Sequence, residues 1–169
     1  MAHTIWLTGL PCSGKSTIAK IIYEQYGDYV ILDGDELRSG LCSDLGFSAE
    51  DRAENIRRVI ELCKILNKND VNVVTAFISP LRELRRRARG EIGNCDVICL
   101  LASLEECKKR DVKGMYAKAA RGEIERFTGV SDPYESGEDD EYELDAECPI
   151  EVTRLELFDI VDKIREDYS

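Results

Sequence analysis

The chain has 169 residues, of which 43% are hydrophobic, 34% are charged and 4 are Pro. This length and composition predict a single globular domain over residues 1–169 and exclude disordered, collagen-like and low-complexity proteins. The net charge is −11, and the acidic excess lies in residues 131–169, which argues against nucleic acids and anionic membrane surfaces as partners because both are bound through Lys and Arg.

Four short apolar segments, rich in β-branched residues, predict strands at residues 4–8, 29–32, 71–78 and 97–102. Their nearly continuous apolar character is typical of strands that are covered on both faces, as in a parallel sheet. The patterns between them predict helices at residues 15–26, 49–67, 80–92 and 104–110. Strands and helices therefore alternate, and this order predicts an α/β fold with three layers.

The C-terminal third departs from this alternation. Residues 111–148 are charged and contain Gly, with only a short helix predicted at 115–120, so we expect a functional loop or lid there. A fifth strand is predicted at 149–152 and an amphipathic helix at 154–167. Ser48 and Asp51 have the spacing of a capping box at the start of the second long helix.

Three features bear on compartment and redox chemistry. No apolar run approaches the roughly 20 residues of a membrane-spanning helix, and residues 1–7 lack the features of a signal peptide, so we expect a cytoplasmic protein. The seven Cys residues form no Cys-x-x-Cys pair, and His3 is the only histidine. These counts predict reduced thiols and argue against disulfides, a zinc site and histidine-dependent nucleophilic catalysis.

A phosphate-binding loop follows the first predicted strand. Residues 9–16 read GLPCSGKS, a complete match to the GxxxxGK(S/T) motif, and a predicted helix follows directly. Lys15 is expected to reach the β- and γ-phosphates of ATP, and Ser16 to ligate Mg²⁺. For Cys12 we favour a spacer over a redox role, since no resolving cysteine is evident. The predicted nucleotide-binding residues of this segment are Gly9, Cys12, Ser13, Gly14, Lys15, Ser16 and Thr17.

The end of the second strand carries the next polar cluster. The sequence has no NKxD or DxxG signature of a GTPase, and residues 33–38 read DGDELR. Because ligands bind at the carboxyl edge of parallel sheets, Asp35 could accept a proton from a substrate hydroxyl and Arg38 could hold an anion. The alternative interpretation is an Asp-rich turn that caps a helix.

Six ordered blocks resemble the adenylylsulfate kinase (APS kinase) family of P-loop kinases. They are residues 9–17, 32–41, 44–59, 77–80, 110–116 and 122–135, which include GLPCSGKST, LDGDELRSGL and GEIERFTGVSDPYE. The resemblance implies a P-loop NTPase fold with a lid, and transfer of the γ-phosphoryl group of MgATP to the 3′-hydroxyl of adenosine 5′-phosphosulfate (APS). The product would be 3′-phosphoadenosine 5′-phosphosulfate, and the family also implies a homodimer.

The resemblance assigns roles at the matching positions. Asp35, Lys15 and Ser79 are the implied catalytic residues, with Asp35 as the base or the organiser of magnesium-bound water. For Ser79 we favour a substrate contact over a phosphoserine intermediate, because nothing nearby would activate its hydroxyl. Phe47 and Phe127 would sandwich the adenine of APS. The other implied substrate-binding residues are Arg38, Arg52, Asn55, Ile78, Lys113 and Arg126, and Arg110 and Cys148 are implied to contact ATP.

The sequence also departs from the family pattern. Glu36 and Cys42 stand where the family often has Asn, Ala117 replaces a lysine of the lid, and an arginine is displaced to Arg121. An extra negative charge at Glu36 would weaken the binding of an anion unless it faces away or is paired. These departures keep two alternatives open, a P-loop kinase for another nucleotidyl acceptor, such as a cytidine-linked phosphoramidate, and a non-catalytic nucleotide-binding module.

Overall fold

The computed structural model describes residues 1–137 and 141–169, and its central feature is a five-stranded parallel sheet. The strand order is β2-β3-β1-β4-β5. The bounds are β1 Thr4–Thr8, β2 Tyr29–Asp33, β3 Asn72–Ala76, β4 Cys95–Leu101 and β5 Tyr142–Asp145. The predicted α/β class is confirmed. The third strand, predicted at 71–78, was too long at both ends. β3 begins at Asn72 and stops at Ala76, and residues 77–79 leave the sheet.

Helices cover both faces of the sheet. They are α1 Lys15–Tyr26, α2 Gly34–Ser39, α3 Ala49–Lys68, α4 Arg82–Ile92, α5 Leu104–Lys109, α6 Met115–Ala120 and α7 Ile150–Asp167. At the start of α3, the Ser48 hydroxyl accepts a hydrogen bond from the Asp51 N–H at 3.0 Å. The Asp51 carboxylate accepts instead from the Gly46 N–H, so only half of the predicted capping box forms.

The side chains of β1 divide the core into two layers. Ile5 and Leu7 pack on the face covered by α1 and α7, whereas Trp6 packs on the face covered by α3 and α4. All three side chains are fully buried, because a parallel strand with helices on both faces has no solvent-exposed side. The three predicted layers follow from this arrangement.

The C-terminal expectations need correction. Residues 149–152 are not a strand, since Pro149 precedes α7 and the helix begins at Ile150. The fifth strand is β5, in which only Leu144 is buried while Glu143 and Asp145 face solvent. An edge strand with alternating acidic residues lacks the continuous apolar pattern used to find the others. The predicted lid therefore contains α6 and β5, and its residues 138–140 lie outside the described part of the chain.

Two further observations concern the helices and the cysteines. Within residues 1–137 and 141–169, no helix is both long and apolar enough to cross a membrane. All seven cysteines are free thiols, and five of them are buried in the core.

Candidate active site

The phosphate loop connects β1 to α1 at the carboxyl edge of the sheet. Its backbone turns sharply, with positive φ at Cys12 (64°) and at Gly14 (102°), which lies just before α1. Gly9 has no room for a side chain, because an added Cβ would lie 2.6 Å from the Ser13 Oγ. The motif therefore forms the predicted strand, loop and helix, and the N-terminus of α1 opens toward the loop.

Lys15 is half-buried and folded back on its own loop. Its ammonium group donates to the carbonyl oxygens of Gly9 at 3.0 Å and Leu10 at 2.7 Å. Burial lowers the pKa of Lys15 to about 8, an effect that nearby Asp33 and Asp35 oppose only in part. A polyphosphate would offer this ammonium group negatively charged acceptors in place of two neutral carbonyl oxygens.

Ser16 meets a carboxylate that the sequence analysis did not select. Its hydroxyl donates to the carboxylate of Asp33, which ends β2. Asp33 also accepts from the Asp35 N–H at 2.9 Å, so the capping interpretation of the DGD segment is correct for Asp33. A hydroxyl, one carboxylate and water are the hard oxygen ligands that Mg²⁺ takes when it also binds substrate phosphates. The described residues hold no cluster of three or more His, Cys, Asp or Glu side chains suited to a metal, so this pair fits a metal held largely by a substrate.

Asp35 is the second residue of α2, and its side chain is 92% exposed. Its carboxylate is 3.9 Å from the Lys113 ammonium group, which comes from the segment between α5 and α6. This exposed ion pair contributes little stability. It shows, however, that the predicted base and the predicted lid lysine are close enough to act on one ligand.

Arg38 and Phe47 form a second contact close to α2. The Arg38 guanidinium lies 4.3 Å from the centroid of the Phe47 ring and donates to the Gly46 carbonyl at 3.0 Å. The Phe47 side chain is 58% exposed. A large aromatic ring held by a cation–π contact yet open to solvent is available to stack on a planar ligand.

Arg52 joins the two phenylalanine-bearing loops. It donates to the Phe47 carbonyl at 3.1 Å and to the Arg126 carbonyl, and it pairs with Asp132 at 3.2 Å. In this structure its guanidinium therefore holds backbone oxygens rather than pointing freely at a ligand. Phe127, next to Arg126, contacts Tyr116 edge-on with ring centroids 5.0 Å apart.

Asn55 has a buried acceptor without a partner. Its side chain is 5% exposed on α3, one helical turn after Arg52, and its Oδ1 atom makes no hydrogen bond within the described residues. Leaving such an atom unpaired costs about 1–3 kcal/mol, so a ligand that donates to it would recover that cost.

Ser79 lies beside the start of the phosphate loop. Its backbone has φ 42°, and its hydroxyl is buried and accepts from the Trp6 indole N–H at 3.0 Å. The neighbouring Ile78 carbonyl accepts from the Gly9 N–H at 3.4 Å. A buried hydroxyl that already accepts one bond is poorly placed for nucleophilic attack.

Arg110 lies over the phosphate loop. It donates to the Ser13 carbonyl at 3.3 Å and to the Ala146 carbonyl at 2.6 Å, so it connects the loop to the segment after β5. Cys148 lies in that segment and donates to Asp145 at 3.3 Å. Arg110 thus borders the nucleotide side of the site, whereas the hydrogen bonds of Cys148 stay within the segment between β5 and α7. His3, by contrast, lies at the opposite end of β1 and bonds to Tyr29.

Comparisons with known proteins agree with this geometry. The family model for adenylylsulphate kinase matches residues 1–145. The chain belongs to the adenylylsulphate kinase family. An adenylyl-sulfate kinase of Thermodesulfovibrio yellowstonii is 47% identical, covering 97% of this chain and 86% of that protein. One from Phocaeicola vulgatus is 50% identical over 83% of this chain and 72% of its own length.

A solved structure of this family also superposes closely. The Mycobacterium tuberculosis APS kinase CysC, in complex with AMPPNP and APS, has a TM-score of 0.86 and 37% identity, covering 95% of this chain and 98% of its own. A gluconokinase from Sinorhizobium meliloti, 18% identical with a TM-score of 0.70, shares the fold alone. The fold is therefore that of the adenylylsulphate kinase family, and it also occurs in kinases of other substrates.

The departures from the family pattern lie in different environments. Glu36 is exposed on α2, and Ala117 is exposed on α6. Arg121 is exposed and pairs with Glu123 at 2.6 Å. Cys42 is fully buried, and its N–H donates to the Leu37 carbonyl at 2.8 Å. Three of the four departures from the adenylylsulphate kinase pattern are therefore on the surface, and the fourth, Cys42, is buried next to α2.

Proposed function

We propose that this chain is an adenylyl-sulfate kinase, which transfers the γ-phosphoryl group of ATP to the 3′-hydroxyl of APS. The products are ADP and 3′-phosphoadenosine 5′-phosphosulfate. The observation that carries the proposal is a pair of adjoining sites at one sheet edge, a phosphate loop and, beside it, two phenylalanine-bearing loops joined by Arg52. The M. tuberculosis relative, solved with AMPPNP and APS, supports one nucleotide ligand for each site.

The nucleotide half uses backbone and cationic groups. The N–H groups of the phosphate loop and the N-terminus of α1 bind the phosphates, and Lys15 moves from the loop carbonyls onto the β- and γ-phosphates. Arg110 contributes a second positive charge at the rim of the loop. Ser16 and Asp33 would hold Mg²⁺, which when bound neutralises the charge that develops on the transferred phosphoryl group.

The acceptor half uses stacking and one carboxylate. Phe47 and Phe127 stack on the adenine, and Asn55 accepts a hydrogen bond from the substrate. Arg38 and Lys113 attract the phosphosulfate. The bond between the substrate O3′ and the γ-phosphorus forms as the bond from that phosphorus to ADP breaks, and the hydroxyl proton passes to Asp35. Ser79 and Ile78 line the path between the halves. Family resemblance supports a homodimer.

An acceptor panel tests this function. ADP release is measured with MgATP and one of three acceptors, APS, AMP or a cytidine-linked phosphoramidate, and the product is identified by mass. We expect turnover with APS and a product heavier by one phosphoryl group. Turnover with the cytidine compound but not with APS would contradict the acceptor while keeping the kinase. ATP binding without turnover on any acceptor would instead favour the non-catalytic module.

Replacing Asp35 tests the proposed base. In Asp35→Ala, turnover with APS is expected to fall by about 10²- to 10⁴-fold because no carboxylate accepts the hydroxyl proton. ATP binding, measured by calorimetry, stays measurable. Glu36→Ala is the matched control, since it removes the adjacent exposed carboxylate of the same short helix and should keep its turnover. Full activity of Asp35→Ala would rule out Asp35 as the base.

A further inference from the structure

Tyr116 spans the space between the phosphate loop and the aromatic ring of the acceptor side. It lies in α6 and is 3% exposed. Its hydroxyl donates to the Pro11 carbonyl, inside the phosphate loop, at 2.7 Å. Its ring meets the Phe127 ring edge-on, with centroids 5.0 Å apart and an interplanar angle of 81°. One side chain therefore contacts both halves of the site.

The backbone of Tyr116 is also held by a hydrogen bond. Its N–H donates to the Asp111 carboxylate at 2.8 Å. Burial and the nearby Cys107, Cys12 and Asp111 raise the pKa of the phenol, so the hydroxyl stays protonated and donates throughout the usable pH range. The Tyr116 hydroxyl therefore donates to the Pro11 carbonyl as a neutral phenol.

The loop that carries Phe127 also rests directly on the phosphate loop. An added Cβ at Gly129 would lie 3.2 Å from the Leu10 side chain and 3.6 Å from the Tyr116 ring. The Gly129 N–H donates to the Asp132 carbonyl at 2.8 Å, which closes the loop into a compact turn. The Phe127 loop is thus packed against Leu10 and Tyr116 together, and a shift of either would move it.

We propose that Tyr116 is a positioning residue that sets the Phe127 ring relative to the phosphate loop, so that the stacked acceptor base and the phosphates of ATP are held in register. The inference rests on the proposed function. Phosphoryl transfer depends almost entirely on in-line placement and charge stabilisation, and small displacements of the reacting groups are costly. A hydroxyl fixed on the phosphate loop, with its ring fixed on Phe127, supplies that placement without touching either substrate.

Two substitutions separate the two contacts. Tyr116→Phe removes the hydroxyl bond to Pro11 and keeps the ring, whereas Tyr116→Leu removes both the bond and the edge-on contact. For Tyr116→Phe we expect the APS KM to rise about 3- to 10-fold and kcat to fall, which is the range for one lost hydrogen bond. Tyr116→Leu should show a larger rise in the APS KM. Binding of AMPPNP alone should stay within about 2-fold of wild type in both, because Tyr116 does not contact the phosphates.

The control is Tyr23→Phe, which removes the hydroxyl of a 50% exposed tyrosine on α1 and should leave both KM values unchanged. If Tyr116 has only a structural role, its substitution would lower thermal stability and weaken the binding of AMPPNP and of APS in parallel. That result would overturn the proposal. So would a Tyr116→Phe variant whose APS KM and kcat match wild type. A wild-type chain that neither binds APS nor acts on it would refute the proposed function, and this inference with it.

Discussion

The ammonium group of Lys15 is held by oxygens of its own loop, at 3.0 Å from the Gly9 carbonyl, 2.7 Å from the Leu10 carbonyl and 3.4 Å from the Ser13 hydroxyl. These neutral acceptors compensate only part of the cost of removing the charge from water, which is why its pKa falls to about 8. Bound phosphates reverse this balance, because an adjacent anion favours the charged form of an amine. The pKa of Lys15 should therefore rise when ATP binds.

This shift predicts a pH dependence of ATP binding. Well below pH 8 Lys15 is already charged in the free chain, so its titration contributes no proton uptake there. Above pH 8 the free chain has a neutral amine, so binding takes up about one proton and affinity falls roughly tenfold per pH unit. Calorimetry at pH 9, in two buffers of different ionisation enthalpy, measures the uptake.

Two variants test that prediction. Lys15→Met should lose the proton uptake, and Lys20→Met, at an exposed position of the same helix, should keep it. ATP affinity that is constant between pH 8 and 10 would contradict the assignment of this titration to Lys15.

At the scale of elements, an ion pair fastens the segment before β5 to α4. Arg85 donates to Glu141 at 2.9 Å, and both side chains are 1% exposed or less. The same guanidinium donates to the Ser79 carbonyl at 3.0 Å and to the Ser136 carbonyl at 2.9 Å. Arg85 thus supports the left-handed backbone of Ser79 and the chain that returns from the predicted lid.

Breaking this pair should destabilise the protein. Arg85→Met leaves the Glu141 carboxylate buried without its guanidinium, and we expect a loss of about 3–5 kcal/mol in the free energy of unfolding. Urea unfolding measures it. The control is Arg87→Ala, which removes an exposed pair with Glu91 on the same helix and should cost about 1 kcal/mol or less. Equal losses of unfolding free energy in both variants would show that the buried Arg85–Glu141 pair contributes no more stability than the exposed one.

For the whole molecule, α7 completes the core although it lies beyond residues 1–145 of the family match. Leu157, Val161 and Ile164 are fully buried in one cluster with Ile5 and Leu7, where α7 contacts β5 and α1. The same helix belongs to the acidic segment 131–169, and its charged residues lie mostly on the opposite face. Its apolar stripe is therefore what holds this acidic helix on the sheet.

Leu157 provides a test of that role. Leu157→Ala should lower the free energy of unfolding by about 2–5 kcal/mol, because it removes a fully buried side chain from the core. Leu155→Ala makes the same chemical change at a position 69% exposed, and its effect should be within about 0.5 kcal/mol. Thermal or urea unfolding measures both. Similar losses at the two positions would mean that α7 is not part of the cooperative core.

Prediction from the sequence worked best where a feature depends on residues close together in the chain. The phosphate loop needs only Gly9, Gly14 and the start of α1, and the buried strands need only continuous apolar segments. β5 was misplaced because an edge strand carries little apolar signal, and α7 began earlier than predicted because Pro149 is well suited to precede a helix.

The sequence by itself determined the α/β class, the phosphate loop and the family resemblance, since local pattern and motif spacing carry that information. The tertiary structure alone decided which distant residues meet. Asp33 reaches Ser16 because the sheet edge gathers the ends of β1 and β2, Arg52 holds Arg126, and Tyr116 meets Pro11 across 105 positions. These contacts depend on strand order and helix packing, which the hydrophobic period of a segment does not encode.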